Sequence, residues 1–102
     1  MLTKDIAAVY AVLAIVIDKI KPSQFSELKI ELHGQFGMQG FALSRSDRMV
    51  VIGCFENSRL IYVETGKPEA FRDPRREGIH IGGVEAGEYI LAADRTIEFL
   101  FS

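Results

Sequence analysis

The chain has 102 residues, 48% of them hydrophobic and 25% charged, with a formal net charge of −2. That length holds a single domain, residues 1–102, with its own core, and the composition lies far from the polar, highly charged regime of disorder. The acidic balance supplies no general attraction to nucleic acid or to an anionic membrane, and a single cysteine, Cys54, excludes an internal disulfide.

Residues 6–20 form the one long apolar segment with helical periodicity. At about 100° per residue, Ile6, Val9, Tyr10, Leu13, Val16, Ile17 and Ile20 fall on one stripe, which predicts a buried face. The opposite side carries Ala7, Ala8, Ala11 and Ala14, with Val12 and Ile15 among them. Such a side serves either as a solvent-facing surface, where alanine supplies helix propensity, or as a contact with the same helix of a second copy. The second use predicts a homodimer joined through Ala8, Val12 and Ile15.

The apolar run is short of the roughly 20 residues of a membrane span. Asp5 before it and Asp18 and Lys19 after it do not suit a signal peptide, so a cytoplasmic protein without a membrane partner is expected. Thr3 suits the helix cap and Asp5 the positive end of its dipole, while Pro22 stops the helix.

From residue 28 the period changes to two. Leu28, Ile30 and Leu32 alternate with Lys29, Glu31 and His33, as in a half-buried strand. Gly34, Gly37 and Gly40 mark a turn or bulge in which Phe36 and Met38 are the apolar positions, and residues 41–44 resume a strand. Arg45, Ser46, Asp47 and Arg48 read as a hairpin turn. Residues 49–55 are apolar on both faces, which predicts a central strand covered twice and makes Cys54 a small buried hydrophobe. Glu56, Asn57 and Ser58 turn the chain into another strand over residues 59–64, and these short connections favour antiparallel neighbours.

Residues 65–78 are the longest polar stretch. Within it Phe71 stands among Arg72, Arg75 and Arg76, the residue types that dominate energetic centres of interfaces and grip carboxylate or phosphate. Four cationic side chains face three acidic ones, so a self-compensated solvated loop is the competing reading and a nucleic-acid patch is not expected. His80 sits in a short strand between Ile79 and Ile81, followed by a break at Gly82 and Gly83. Residues 84–92 suit a second helix, but Gly87 weakens it and residues 96–101 are strand-like, so a hairpin of residues 88–93 and 96–101 is expected.

The fold class is therefore α+β: an N-terminal helix packed across a curved antiparallel sheet of five or six strands. At the level of layers this resembles cystatin-like and other helix-on-meander layouts, a likeness that carries no function. No catalytic spacing and no cofactor motif is present, and His33, His80 and Cys54 lack the spacing of metal ligands. The first expectation is a small non-enzymatic protein-interaction domain, homodimeric, of the inhibitor or immunity type, with an unidentified protein partner. Its candidate binding residues are Phe71, Arg72, Arg75, Arg76 and His80. The alternative is a small-ligand-binding or enzymatic domain that uses His80, Arg75, Arg76 and Glu85, the densest ionisable group together with Glu88.

Overall fold

The computed structural model of the chain describes residues 4–35, 37–55 and 59–102, apart from the side chains of residues 4, 5 and 35. The expected cap Thr3, the turn residue Phe36 and the turn at Glu56, Asn57 and Ser58 lie outside the described residues. Helix α1 spans Lys4–Lys19, and Pro22 opens a single helical turn, α2, at Pro22–Phe25. Proline fits the first position of a helix because its missing N–H would have no partner there, and the Gln24 side chain accepts the backbone N–H of Lys21 at 2.8 Å.

Five strands follow: β1 Lys29–Gln35, β2 Met38–Arg45, β3 Arg48–Phe55, β4 Leu60–Gly66 and β5 His80–Glu85. They pair in chain order, each antiparallel to the next, so β1 and β5 are the two edges. Arg45 pairs with Arg48 around a two-residue turn whose first residue, Ser46, has φ 56°; positive φ at that position lets the turn follow the twist of the strands. The helix α3, Pro68–Arg72, lies between β4 and β5, and a 3-10 turn at Ala86–Glu88 leads into the last helix, α4, Tyr89–Phe101.

The α+β class, the N-terminal helix and the antiparallel sheet are as expected, and the C-terminal segment is not. Residues 89–101 form a helix in place of the anticipated hairpin, and β5 runs on through Gly82 and Gly83, which pair with Val63 and Tyr62. Gly87 falls in the 3-10 turn before the helix, where it breaks nothing. Ala92, Ala93, Thr96 and Leu100 recur at helical spacing and are all buried. Thr96, a β-branched residue inside this helix, donates its Oγ1 hydrogen to the Ala92 carbonyl at 2.8 Å, which satisfies the buried hydroxyl. Packing along this face outweighs the strand propensity of residues 96–101.

Helices α1 and α4 share one face of the sheet. Between them and the strands lies the main core, built from Val9, Val12 and Val16 of α1, Phe41 and Leu43 of β2, Val50, Ile52 and Cys54 of β3, Ile61 and Val63 of β4, and Leu100 of α4. The presence of α4 rotates the buried side of α1 away from the expected stripe. Val12 is 0% exposed, whereas Tyr10 and Ile17 remain 47% and 40% exposed. Ala8, Val12, Ile15 and Lys19 follow one another at spacings of four, three and four residues, so they share a helix face. Lys19 on that face bonds Asp94 of α4 at 2.8 Å, and Ala8 and Ile15 pack on the core. The side anticipated as a contact between copies is turned into the chain's own second helix.

The other face of the sheet carries a smaller cluster of Met38, Ala42 and Val51, with Met49, Tyr62 and Phe71 packed against it. Residues 49–55 are thus covered on both faces, as their unbroken apolar character predicts. The C-terminal end of α4 is held by the β2–β3 hairpin. Arg45 donates to the Leu100 carbonyl at 3.0 Å and Arg48 to the Phe99 carbonyl at 2.8 Å, and their guanidinium groups lie over the rings of Phe101 and Phe99. Both cations meet the negative end of the helix dipole and its unpaired carbonyls. Among the described residues no helix is long and apolar enough to cross a membrane.

Candidate functional site

The residues anticipated as a binding loop do not gather in one place. Phe71 is half-buried in the second cluster. Arg76, with φ 54°, reaches back to Glu64 of β4, its Nη2 donating to Oε1 at 2.7 Å. Arg72 and Arg75 are exposed, and Arg75 meets Asp73, its backbone N–H bonding Oδ1 at 2.9 Å with the guanidinium 3.6 Å away. Glu85 closes β5 opposite Leu60. By strand alternation His80 shares the helix-covered face with Val84, while Glu64 and its partner Arg76 belong to the other face. His80, Arg75, Arg76 and Glu85 therefore do not converge.

His80 instead lines a cleft of about 480 Å³ between the β4–β5 edge and α4. Val63 and Thr65 of β4, Gly82 of β5 and Arg95, Glu98, Phe99 and Ser102 on the helical side complete it. The Nη1 of Arg95 lies 3.6 Å from where a Cβ on Gly82 would stand, so the guanidinium is laid along β5. Arg95 and Glu98 are three residues apart on the helix, the spacing at which opposite charges usually pair. Among the described residues, however, neither these two nor His80 forms an ion pair. Arg95 and Glu98 escape sequence reasoning because a hairpin of residues 88–93 and 96–101, with Arg95 in its turn, does not place them together on a helix beside His80.

A second candidate surface lies at the other edge of the sheet. Leu32, in the middle of β1, is 81% exposed. It borders a cavity of about 320 Å³ with Ile6 and Tyr10 of α1, His33 and Gly34 of β1 and Phe41 of β2. The Tyr10 ring stands edge-on to Phe41 with centroids 5.0 Å apart. Because among the described residues β1 pairs only with β2, its outer row of N–H and C=O groups is open to another chain. Lys29 and Glu31, 3.2 Å apart, and His33 occupy the opposite face of the same strand. Burial lowers the His33 pKa; Glu64 works against this shift and Arg76 adds to it.

Among the described residues no three His, Cys, Asp or Glu side chains gather as metal ligands, and Cys54 is buried within the main core. Comparison with protein-family models, with curated proteins and with solved structures finds no match for this chain.

Proposed function

We propose that the chain is a non-enzymatic protein-interaction domain that works as a homodimer, joined through the β1 edge. The observation that carries this reading is the exposure of Leu32 at the midpoint of a seven-residue strand with one neighbour. Contact between two copies of β1, antiparallel about a two-fold axis at Leu32, is self-complementary in three respects. The open backbone rows of the two strands pair with each other. Leu32 meets its own copy, and the exposed Tyr10 of α1, which borders the same cavity, flanks the joint on the helix side. On the opposite face Glu31 comes to stand across from His33 of the second copy, an acceptor facing a donor. Moving the axis by one residue, to Glu31, would oppose two like carboxylates, so charge selects the register.

Light scattering coupled to size-exclusion chromatography tests the reading. A dimer is expected for the unaltered protein and a folded monomer for Leu32→Lys. Ile81→Lys, which changes an exposed residue of the far edge strand, should remain dimeric. A monomer for the unaltered protein at concentrations up to about 1 mM, the range of the weakest specific associations, would end the proposal.

A further inference from the structure

We infer that the cleft between β5 and α4 is a binding site for a free α-amino acid with an apolar side chain. The site is independent of the dimer reading, because β1 and β5 are opposite edges of the sheet and the cleft stays open when β1 is covered. Its cavity of about 480 Å³ is within the size range of small-molecule pockets.

The cleft's charges define the ligand. Arg95 and Glu98 project from the same stretch of α4 with Cβ atoms roughly 5–6 Å apart, line the same space and, among the described residues, form no direct ion pair with each other. A phosphate or other multiply charged anion would be drawn to Arg95 but repelled by Glu98, and a simple amine would meet the reverse. A zwitterion answers both: its carboxylate accepts from the guanidinium fork, and its ammonium donates to Glu98. An α-amino acid carries the two groups on one carbon, close enough to reach both side chains from a single position. Its side chain then has Val63 and Phe99 as the apolar wall, while Gly82, lacking a Cβ, leaves room beneath Arg95. The Thr65 hydroxyl and the His80 imidazole supply further polar contacts at the β4–β5 wall.

The test is calorimetric titration of the full chain with L-leucine and L-phenylalanine, beside the matched half-ligands 4-methylpentanoate and 3-methylbutylamine. Leucine is expected to bind at least about tenfold more tightly than either half-ligand, a margin of roughly 1.4 kcal/mol. Arg95→Gln should remove the preference for leucine over 3-methylbutylamine, and Glu98→Gln the preference over 4-methylpentanoate. Circular dichroism should show both variants folded, since neither side chain is in the core. Gly82→Val, which adds bulk to the floor without changing charge, should weaken leucine binding on its own. The inference is overturned if neither amino acid binds, if 4-methylpentanoate binds as tightly as leucine, or if the two charge variants leave the preferences unchanged.

Discussion

The Arg76 guanidinium donates a 2.7 Å hydrogen bond to Oε1 of Glu64, whose side chain is 8% exposed on the sheet face that carries Met38, Ala42 and Val51. A carboxylate taken that far out of water needs its partner, and the loop after α3 supplies it from a residue held at φ 54°. Removal of the partner leaves a buried charge unpaired, so Arg76→Ala should destabilise the fold by about 1–3 kcal/mol. Arg76→Gly loses the same bond but relieves the left-handed backbone, and should recover about 1 kcal/mol of that cost. Urea denaturation of the two variants separates the terms. Equal loss in both would show that the backbone at residue 76 is unstrained.

Gly40 of β2 and Gly53 of β3 face each other in the sheet register, and neither has room for a side chain. A Cβ on Gly40 would run into the carbonyl oxygen of Ile52, while one on Gly53 would sit 2.8 Å from Cγ of Met38 and 3.0 Å from the Gln39 carbonyl oxygen. Gly40→Ala meets rigid backbone and should cost roughly 3 kcal/mol or more. Gly53→Ala meets a methionine side chain that can turn away and should cost less. Gly87→Ala, with nothing within 4 Å of the added methyl, should stay within about 1 kcal/mol of the unaltered protein. Thermal unfolding of the three variants should rank them in that order.

Much of the meander is legible in the residues themselves. The alternation of Leu28, Ile30 and Leu32 marks β1, the two-sided apolar run of residues 49–55 marks the centre of the sheet, and Arg45 to Arg48 mark a tight turn. The last quarter of the chain is not legible in this way. Thr96, Ile97, Phe99 and Phe101 are residues with strand propensity, and only contact with α1 and the sheet makes the helical spacing of Ala92, Ala93, Thr96 and Leu100 decisive. That tertiary contact also explains why Val12 is buried and Tyr10 exposed. Amphipathic reading of α1 in isolation finds a broad apolar stripe, but the flank covered by a second helix is fixed elsewhere in the chain. The cleft followed α4 out of view, since Arg95 and Glu98 meet His80 only when residues 89–101 are helical. Leu32 reads as a core residue by alternation, yet it is 81% exposed while Ile30 of the same edge strand packs on the core.

His33 gives the fold a dependence on pH. Burial, opposed by Glu64 and reinforced by Arg76, holds its pKa below the ordinary value of 6.5. As pH falls the unfolded chain takes up this proton before the folded one does, so stability falls with pH in that window. The contribution of neutral His33 is complete above about pH 6.5 and is lost as pH drops through the depressed value. Chemical denaturation between about pH 8 and 5 should show the stability of the unaltered protein falling relative to His33→Gln. Parallel pH profiles for the two proteins would exclude this assignment.

The two faces of α1 make opposite predictions for a carboxylate. Val12 is enclosed by the main core, and Ile15 packs on that core at the flank where Lys19 meets Asp94. Ile15→Asp places a charge among apolar neighbours, where the cation one turn away, Lys19, is already paired with Asp94, and should cost at least about 2 kcal/mol in a denaturant titration. Val12→Asp, at a site with no exposure, should prevent folding altogether. Ala14→Asp lies on the exposed side and carries the lower helix propensity of aspartate, about 0.7 kcal/mol, with a few tenths more from the like charge of Asp18 one turn on. If α1 used Ala8, Val12 and Ile15 to hold a second copy, Ile15→Asp would yield a folded monomer of nearly full stability. With α4 seated against that face, the same substitution should loosen the chain itself, and Leu32→Lys should be the change that separates two folded copies.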